Sequence, residues 1–537
     1  MIDHENFAVT LTQRARAQPA QLALIEQHGR RITFEELDRL ASRFASGLAR
    51  HGVRRGDRAL YMLRPSIEGY AVFYALLRIG AVPVLMDPRM GLRRLLDCIA
   101  SVRPRVVLAV PLVHAVRTLV PRPFAGAELL ITAGPRWFWG GVRLADCLAA
   151  TDGFGNGRTE PGDPSFLPFT SGSTGPPKGV FYDHAMLRHQ VAVMREVCGW
   201  REGMRVVMAY APFVSYALAD GLTTILPAID FSRPAAADPA LIAAALNDYE
   251  AQCGFASPIV WMHLVRYAGL RRTRFTALER AVTAGAPVPP DLHRRLRPLL
   301  HPEGQLYTPY GATEAMPLTT TDSRELSDTW EMTRMGFGTC VGKPLSGVEV
   351  RIIRVTDEAI PEWSDGLCIA DGAIGEVVVG GPLVSPSYDA RTEETARAKI
   401  RRGGQVLHRM GDLGRRDAGG RLWFCGRKAD RIETRGGMIP SVPLENIFNE
   451  HPNVFRTAVV GVGTPSDPTV VACVELEAGT PFSAALEHEL AALAQGTCFD
   501  GIVTRFFPHR GFPVDARHNS KIRRDQLAAW AERQCAR

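Results

Sequence analysis

The chain of 537 residues lacks the features that mark membrane, exported and disulfide-rich proteins. Its longest apolar stretch, 70–86, is interrupted by Arg78 and Pro83, whereas a membrane-spanning helix needs about 20 apolar residues. The sequence does not begin with a basic segment followed by an apolar one, so no export signal is predicted. The ten cysteines include no C-x-x-C pair, which argues against a zinc site or a disulfide framework. We therefore expect a cytoplasmic protein with reduced, mostly buried thiols and no transmembrane segment.

Lysine is also scarce. Only five of the 63 basic residues are lysines, at positions 178, 343, 399, 428 and 521. Lysine carries a compact charge on a flexible stem, which the planar guanidinium of arginine cannot replace where one small cation must reach a reacting oxygen. The net charge of +7 is spread along the chain, so we expect no nucleic-acid partner.

Helical and strand-like patterns alternate over much of the sequence. Thr33 begins a capping box ahead of a helical pattern, a second helical run covers 70–79, and 129–132 has a strand pattern. This alternation predicts an α/β fold with a large N-terminal domain of mostly parallel sheets covered by helices. Runs such as 375–380 predict an additional smaller sheet or barrel, and the segment after Gly426 predicts a compact α+β unit.

The segment 170–179 combines hydroxyl groups, glycines and one lysine, between a strand pattern at 166–169 and a predicted helix. Its candidate ligand-binding residues are Thr170, Ser171, Gly172, Ser173, Thr174, Gly175 and Lys178. Glycines let backbone N–H groups approach an anion, hydroxyls add donors, and Lys178 supplies positive charge, so the pattern is typical of a phosphate-binding loop. It is not the common P-loop, because prolines precede the lysine. A flexible surface loop is the alternative, and this composition disfavours it.

Five ordered motifs resemble those of the adenylate-forming superfamily, which includes acyl-CoA synthetases, adenylation domains and luciferases. They are the loop at 170–179, the adenine-pocket segment Ala284-Gly285-Ala286-Pro287, the aromatic-Gly-x-Thr-Glu motif Tyr310-Gly311-Ala312-Thr313-Glu314, the ribose motif Gly411-Asp412 with the hinge opening Gly426-Arg427, and the C-terminal lysine Lys521. The resemblance implies an N-terminal AMP-binding domain over 1–425, a hinge at 426–430, and a small mobile α+β domain over 431–537 that carries the catalytic lysine.

The resemblance also implies ATP and Mg²⁺ as cofactors and gives each motif a role. Tyr310 would present a flat face to adenine, Asp412 would accept the ribose hydroxyls, and Arg427 would meet the ribose or phosphate edge. Thr313, Glu314 and Lys521 would be the catalytic residues. Glu314 is a hard oxygen ligand of the kind that Mg²⁺ prefers. Lys521 would bridge the carboxylate and the α-phosphate as charge builds in the transition state.

Within the superfamily, two segments resemble the β-lactone synthetases of bacterial long-chain olefin biosynthesis, namely 336–344 and 517–522. That branch implies a long-chain 2-alkyl-3-hydroxy acid as substrate. The acid is first adenylated, and its own β-hydroxyl then displaces AMP to close a lactone. It also implies a reductase and a β-lactone decarboxylase as pathway partners. The base for the hydroxyl is not identified, because His408 and His518 are each predicted to be structural. The apolar lining is expected to include part of 210–219 and 257–263.

Alternatives remain open at this point. Acyl-CoA synthetases usually carry Asp or Lys four residues into the hinge motif, where this chain has Ala429 followed by Asp430. Many of them have a basic residue where this chain has Glu433, and the segment 212–216 has no histidine. These differences weaken the case for coenzyme A, but a long-chain acyl-CoA synthetase or a fatty acyl-AMP ligase stays the alternative. A non-catalytic relative is disfavoured by the presence of both Lys178 and Lys521.

Overall fold

The computed structural model describes most of the chain. The described residues are 5–170, 177–285, 288, 290–464, 466–514 and 522–536. Several predicted site residues lie outside them, namely Ser171, Gly172, Ser173, Thr174, Gly175, Ala286, Pro287 and Lys521. His518 lies outside them as well.

Twenty-seven strands are defined in the described part of the chain. They are β1 Leu22–Glu26, β2 Arg31–Thr33, β3 Arg58–Met62, β4 Val82–Leu85, β5 Val106–Ala109, β6 Leu129–Thr132, β7 Val142–Arg143, β8 Pro164–Thr170, β9 Lys178–Gly179, β10 Tyr182–Asp183, β11 Arg205–Met208, β12 Thr223–Leu226, β13 Cys253–Phe255, β14 Arg280–Val282, β15 Gln305–Ala312, β16 Ala315–Asp322, β17 Thr339–Pro344, β18 Glu349–Ile353, β19 Gly375–Gly380, β20 Lys399–Arg402, β21 Gln405–Arg416, β22 Leu422–Arg427, β23 Ile432–Thr434, β24 Gly437–Ile439, β25 Val454–Val462, β26 Thr469–Leu476 and β27 Arg505–Pro508.

Fifteen α-helices accompany these strands within the same described ranges. They are α1 Val9–Ala17, α2 Phe34–Arg50, α3 Ile67–Ile79, α4 Leu92–Val102, α5 Pro111–Leu119, α6 His184–Cys198, α7 Val214–Ala219, α8 Pro239–Asp248, α9 Pro258–Arg271, α10 Pro290–Leu296, α11 Ser323–Arg334, α12 Thr392–Ala398, α13 Ser441–Phe448, α14 Ala484–Leu493 and α15 Arg524–Cys535.

Two large sheets form the body of the molecule. The larger has the strand order β18-β19-β21-β22-β17-β16-β15-β14-β13-β11-β12-β1-β2, with β20 paired to β21. The other has the order β10-β8-β4-β3-β5-β6-β7, with β9 paired to β8. Strands β11 to β15 pair in parallel, as do β3 to β6, which confirms the predicted α/β class. The smaller sheet predicted from the sequence corresponds to strands β16 to β22. These strands pair antiparallel and extend the parallel part of the larger sheet beyond β15.

Local sequence signals determine several of these bounds. The hydroxyl of Thr33 accepts from the backbone N–H of Glu36, and the Glu36 carboxylate accepts from the N–H of Thr33, so α2 begins with the predicted capping box. The helix α3 ends at Gly80, whose φ of +81° is a left-handed conformation that glycine adopts without strain. The helix predicted after the 170–179 loop begins at His184, and the short strands β9 and β10, which pair with β8, lie between the loop and this helix.

The C-terminal part of the chain forms a separate small sheet with its own core. Strands β25, β26 and β27 make a three-stranded sheet with two clusters of buried side chains, one including Leu444 and Phe448, the other Phe512 and Leu527. Polar contacts join this unit to the preceding residues, such as the bond from Asn446 Nδ2 to the Thr339 hydroxyl at 3.0 Å.

The thiols follow the expectation from composition. Seven of the ten cysteines are buried and all ten are free. No helix among the described residues is long and apolar enough to cross a membrane.

Candidate active site

The aromatic-Gly-x-Thr-Glu motif forms the tip of a β-hairpin. Tyr310 pairs with Thr319, Ala312 pairs with Ala315, and Thr313 and Glu314 make the turn between β15 and β16. Gly311 is required here, because a Cβ atom at this position would lie 2.8 Å from the Ala315 carbonyl oxygen. The hairpin therefore presents Thr313 and Glu314 at its end.

Asp412 connects this hairpin to the strand before the predicted hinge. The Tyr310 hydroxyl donates to Asp412 Oδ2 at 2.5 Å, and Arg427 Nη1 donates to Oδ1 at 2.7 Å. Asp412 and Arg427 are direct cross-strand partners on β21 and β22. Asp412 is 2% exposed, and its charge raises the pKa of Arg427 above the ordinary value. Burial, followed by the Asp412 charge, raises the pKa of Tyr310 well above its ordinary value. The carboxylate is thus held in one orientation.

Glu314 is held in place by contacts from the segment 384–388. The Tyr388 hydroxyl donates to Glu314 Oε1 at 2.7 Å, and the Ser385 N–H donates to the Glu314 carbonyl oxygen at 2.8 Å. An isolated bridge also pairs Ala315 with Val384. Burial, reinforced by the Glu314 charge, raises the pKa of Tyr388, so the phenol stays protonated and keeps donating.

Lys178 lies beside the same tyrosine. Its Nζ is 4.8 Å from the centre of the Tyr388 ring, a cation–π distance. Thr170 and Lys178 are paired across β8 and β9, so these two residues are the described flanks of the hydroxyl-rich loop. Lys178, at one end of the loop, therefore lies beside Tyr388, the residue that contacts Glu314, and Thr170 is its partner at the other end.

A second lysine, Lys399, which no motif predicted, contacts the residues that hold Glu314. Lys399 is 6% exposed, and its Nζ donates to the Ser385 carbonyl oxygen at 2.6 Å and to the Ser385 hydroxyl at 3.2 Å. Its Nζ is also 5.8 Å from the centre of the Tyr388 ring. Burial lowers the pKa of Lys399 to about 7, although the Glu314 charge acts in the opposite direction. The scarcity of lysine was the only sequence signal for this residue.

His408 is the direct cross-strand partner of Lys399. Its ring is buried, and Nδ1 lies 3.2 Å from the Ala398 carbonyl oxygen, to which it can donate. Burial lowers the pKa of His408 well below its ordinary value, and the charges of Lys399 and Lys178 lower it further. The imidazole is therefore neutral, as suits a structural role.

A cleft of about 4720 Å³ brings the predicted residues together. The ten that the structure describes all line it, namely Thr170, Lys178, Gly285, Tyr310, Gly311, Ala312, Thr313, Glu314, Asp412 and Arg427. Gly285 follows β14 with a φ of +89°. From the C-terminal unit, Val514 and Ile522 also line the cleft, and they pair with each other on either side of the undescribed segment that contains Lys521.

One region of the cleft is strongly apolar. Tyr210, Phe213 and Met262 come from the two segments in which the lining was expected, whereas Met194 and Phe255 come from outside them. The aromatic rings pack against one another, with 4.8 Å between the centres of Phe213 and Phe255. Such a surface suits an acid with an alkyl chain.

Comparisons with known proteins agree with this arrangement. Residues 11–389 match the family described as AMP-binding enzyme. The chain is 41% identical to the olefin beta-lactone synthetase of Xanthomonas campestris pv. campestris and 39% identical to that of Stenotrophomonas maltophilia, over 98% of each chain. Its fold is similar to that of the amide bond synthetase from Marinactinospora thermotolerans, with a TM-score of 0.81, 24% identity, and coverage of 98% of this chain and 99% of the other.

The family match covers more than half of the chain, and the two relatives extend over nearly all of it. These findings confirm the resemblance that rested on five ordered motifs. The chain belongs to the family of AMP-binding enzymes.

Proposed function

We propose that the protein is an ATP-dependent, AMP-forming β-lactone synthetase. Its substrate is a long-chain 2-alkyl-3-hydroxy acid, which it activates as an acyl adenylate and then closes to a β-lactone. The observation that carries this proposal is the 41% identity to a protein of that name over 98% of both chains. One cleft contains both the charged hairpin tip and the apolar lining, and this arrangement supports activation of a long-chain acid.

The first step requires a pocket for ATP. Asp412 is oriented by Tyr310 and Arg427, and because a carboxylate has about four acceptor sites it can still accept the ribose hydroxyls. Lys178, at one flank of the loop, is proposed to contact the phosphates. One oxygen of the substrate carboxylate attacks the α-phosphorus, and pyrophosphate leaves with the electron pair of the bond that breaks. Lys521, with Thr313, is proposed to stabilise the charge that develops.

The donor set at Glu314 fits Mg²⁺. Tyr388 donates to Oε1, so Oε2 can face a cation. Within the described ranges no cluster of three or more His, Cys, Asp or Glu side chains could hold an ion unaided. Mg²⁺ takes one or two carboxylates and completes its coordination with substrate phosphates and water, so a single carboxylate is adequate. When bound, the ion would neutralise charge on the phosphates.

The second step needs no further substrate. The β-hydroxyl oxygen attacks the acyl carbonyl carbon, a C–O bond forms, the bond from that carbon to the phosphate oxygen breaks, and AMP leaves while the hydroxyl proton is lost to solvent. An oriented intramolecular nucleophile reaches effective molarities of about 10⁵–10⁸ M. Ring strain opposes closure, so the aromatic lining around Phe213 and Phe255 must hold the chain folded and exclude water.

We also propose that 426–430 is a hinge between an N-terminal domain, 1–425, and a C-terminal domain, 431–537. Gly426 has a φ of +119°, and a Cβ there would lie 2.8 Å from the Ser441 hydroxyl, so a larger residue would be strained. Asp430 is paired with Arg524 at 3.3 Å, which ties the end of this segment to α15. Movement about the hinge would change the position of Lys521 relative to the adenylate.

The functional context follows the same proposal. A reductase would supply the hydroxy acid, and a decarboxylase would consume the lactone. We propose that these reactions take place in the cytoplasm.

The test is product analysis with the purified protein. Incubation with ATP, Mg²⁺ and a long-chain 2-alkyl-3-hydroxy acid, without coenzyme A, is expected to yield β-lactone, AMP and pyrophosphate. The matched acid without the 3-hydroxyl is expected to release pyrophosphate but to form no lactone. If the hydroxy acid gives only free acid, while added coenzyme A yields a thioester, the protein is an acyl-CoA synthetase instead.

A further inference from the structure

A loop with exposed aromatic side chains lies in the N-terminal part of the molecule. The segment 133–141 connects β6 to β7, and in it Trp137 is 64% exposed and Phe138 is 74% exposed. Trp139 lies beneath this pair and is 6% exposed. Its ring centre is 5.4 Å from that of Trp137 and 5.4 Å from that of Phe138. The Trp139 indole N–H donates to the Thr132 hydroxyl at 3.0 Å. We call Trp137 and Phe138 the aromatic tip.

The helix α5 packs beside this loop and adds further exposed apolar side chains. His114 stacks on Trp139 with 6.0 Å between ring centres, and Arg117 Nη2 donates to the Trp139 carbonyl oxygen at 3.1 Å. Leu112 and Leu119 are 72% and 82% exposed. They are seven residues apart, two turns of helix, so they share one face of α5.

Arginines outnumber acidic residues in the segment that carries the aromatic tip. Between 111 and 141 the sequence contains three arginines, Arg117, Arg122 and Arg136, but a single acidic residue, Glu128. Glu128 is paired with Arg105 at 2.7 Å. The segment that carries the aromatic tip therefore has a net positive charge, although Asp146, paired with Arg143 at 2.8 Å, also lies near Arg136.

This surface also borders the cleft. Leu112 and the neighbouring Val110 and Val113 of the α5 region line the cleft that holds the predicted site. Of the exposed apolar side chains, Leu112 thus lies at the cleft itself.

We propose that the aromatic tip binds the surface of an anionic lipid bilayer. Tryptophan and phenylalanine are favourable at the boundary between headgroups and acyl chains, and arginines beside them add attraction to anionic lipid. A stable protein–protein interface needs about 20–30 residues on each side, whereas the aromatic tip offers two exposed apolar side chains. The inference rests on the proposed function in one respect, namely that a substrate with long alkyl chains partitions into the lipid bilayer.

Cosedimentation with vesicles tests this proposal directly, without substrate. The full chain is expected to sediment with vesicles of phosphatidylcholine containing a quarter of phosphatidylglycerol, and less at high salt. Trp137→Ser/Phe138→Ser is expected to lower the partition coefficient at least about tenfold, since both aromatic rings lose their apolar burial. Arg122→Gln/Arg136→Gln is expected to weaken binding and to reduce its dependence on salt.

A matched control is available on another surface. Leu270 is 85% exposed and Met335 is 48% exposed, so Leu270→Ser/Met335→Ser removes exposed apolar groups elsewhere and is expected to leave sedimentation unchanged. Pyrophosphate release with a short, water-soluble hydroxy acid is expected to be the same in the wild type and in Trp137→Ser/Phe138→Ser, which confirms folding.

The proposal is overturned if the wild type stays in the supernatant, or if the aromatic-tip variant sediments as well as the wild type does. Formation of lactone without vesicle binding would refute this inference alone. Vesicle binding without lactone formation would support it and refute the proposed function. Binding to a protein and not to vesicles would also overturn it.

Discussion

Tyr388 donates a 2.7 Å hydrogen bond to Glu314 Oε1 while its ring faces the Nζ of Lys178 at 4.8 Å. One side chain therefore connects the lysine that flanks the hydroxyl-rich loop with the carboxylate proposed to bind Mg²⁺. Neither motif contains this tyrosine. The contact orients two groups that we propose act on the same phosphates.

Replacing Tyr388 with Phe removes this hydrogen bond and keeps the ring. A hydrogen bond to a charged group contributes about 1.5–3 kcal/mol, so we expect pyrophosphate release to fall tenfold or more and the Mg²⁺ concentration for half-maximal activity to rise. ATP–pyrophosphate exchange measured against Mg²⁺ concentration tests this. Tyr74→Phe is the matched control, because its buried hydroxyl donates to the Ser215 carbonyl oxygen at 3.0 Å away from the hairpin tip. An unchanged Mg²⁺ dependence in Tyr388→Phe would contradict the assignment.

Asp412→Asn is expected to weaken ATP binding. The change removes the charge that pairs with Arg427 and the acceptor of the Tyr310 hydroxyl, so we expect the KM for ATP to rise about tenfold to a hundredfold, in line with 1.5–3 kcal/mol for hydrogen bonds to charged groups. Asp417→Asn is the control. Asp417 is paired with Arg421 at 2.6 Å on the same strand–turn–strand unit but does not line the cleft. Equal effects of the two substitutions would show that the role of Asp412 is structural.

Lys399 is expected to make stability depend on pH. Its pKa is lowered to about 7 in the folded protein and returns to about 10.4 on unfolding. Between these values the unfolded chain binds the extra proton, so raising the pH from 7 favours the folded state. We expect the unfolding midpoint of the wild type to increase relative to that of Lys399→Met as the pH rises from 7 toward 9. A difference between the two proteins that stays constant over that range would contradict the lowered pKa.

Lys521→Ala is expected to reduce pyrophosphate release by at least about a hundredfold and to leave ATP binding measurable, since its proposed contact forms in the transition state. Lys521 lies outside the described residues, so its role is a prediction from sequence. The control is Lys343→Ala, at an exposed lysine that does not line the cleft. Unchanged pyrophosphate release in Lys521→Ala would remove this residue from the mechanism.

Local patterns predicted much of the fold. The strands Leu129–Thr132 and Gly375–Gly380 have the predicted bounds, because each is a short apolar run that ends at polar or turn-forming residues. The motifs also predicted ten of the described residues that line the cleft. The Tyr388–Glu314 contact could not be predicted in this way, because its partners are 74 residues apart and meet through tertiary pairing of the segment 384–388 with the hairpin. The lowered pKa of Lys399 likewise arises from tertiary burial.

The central claim is that the carboxylate is joined to AMP and that the acid's own hydroxyl then displaces it. The most direct measurement uses a 2-alkyl-3-hydroxy acid labelled with oxygen-18 in both carboxylate oxygens. After complete conversion, the account predicts one labelled oxygen in the phosphate of AMP and one in the lactone carbonyl, with an unlabelled ring oxygen. Unlabelled AMP, together with a lactone that keeps both labels, would show that the hydroxyl is activated instead and would contradict the account.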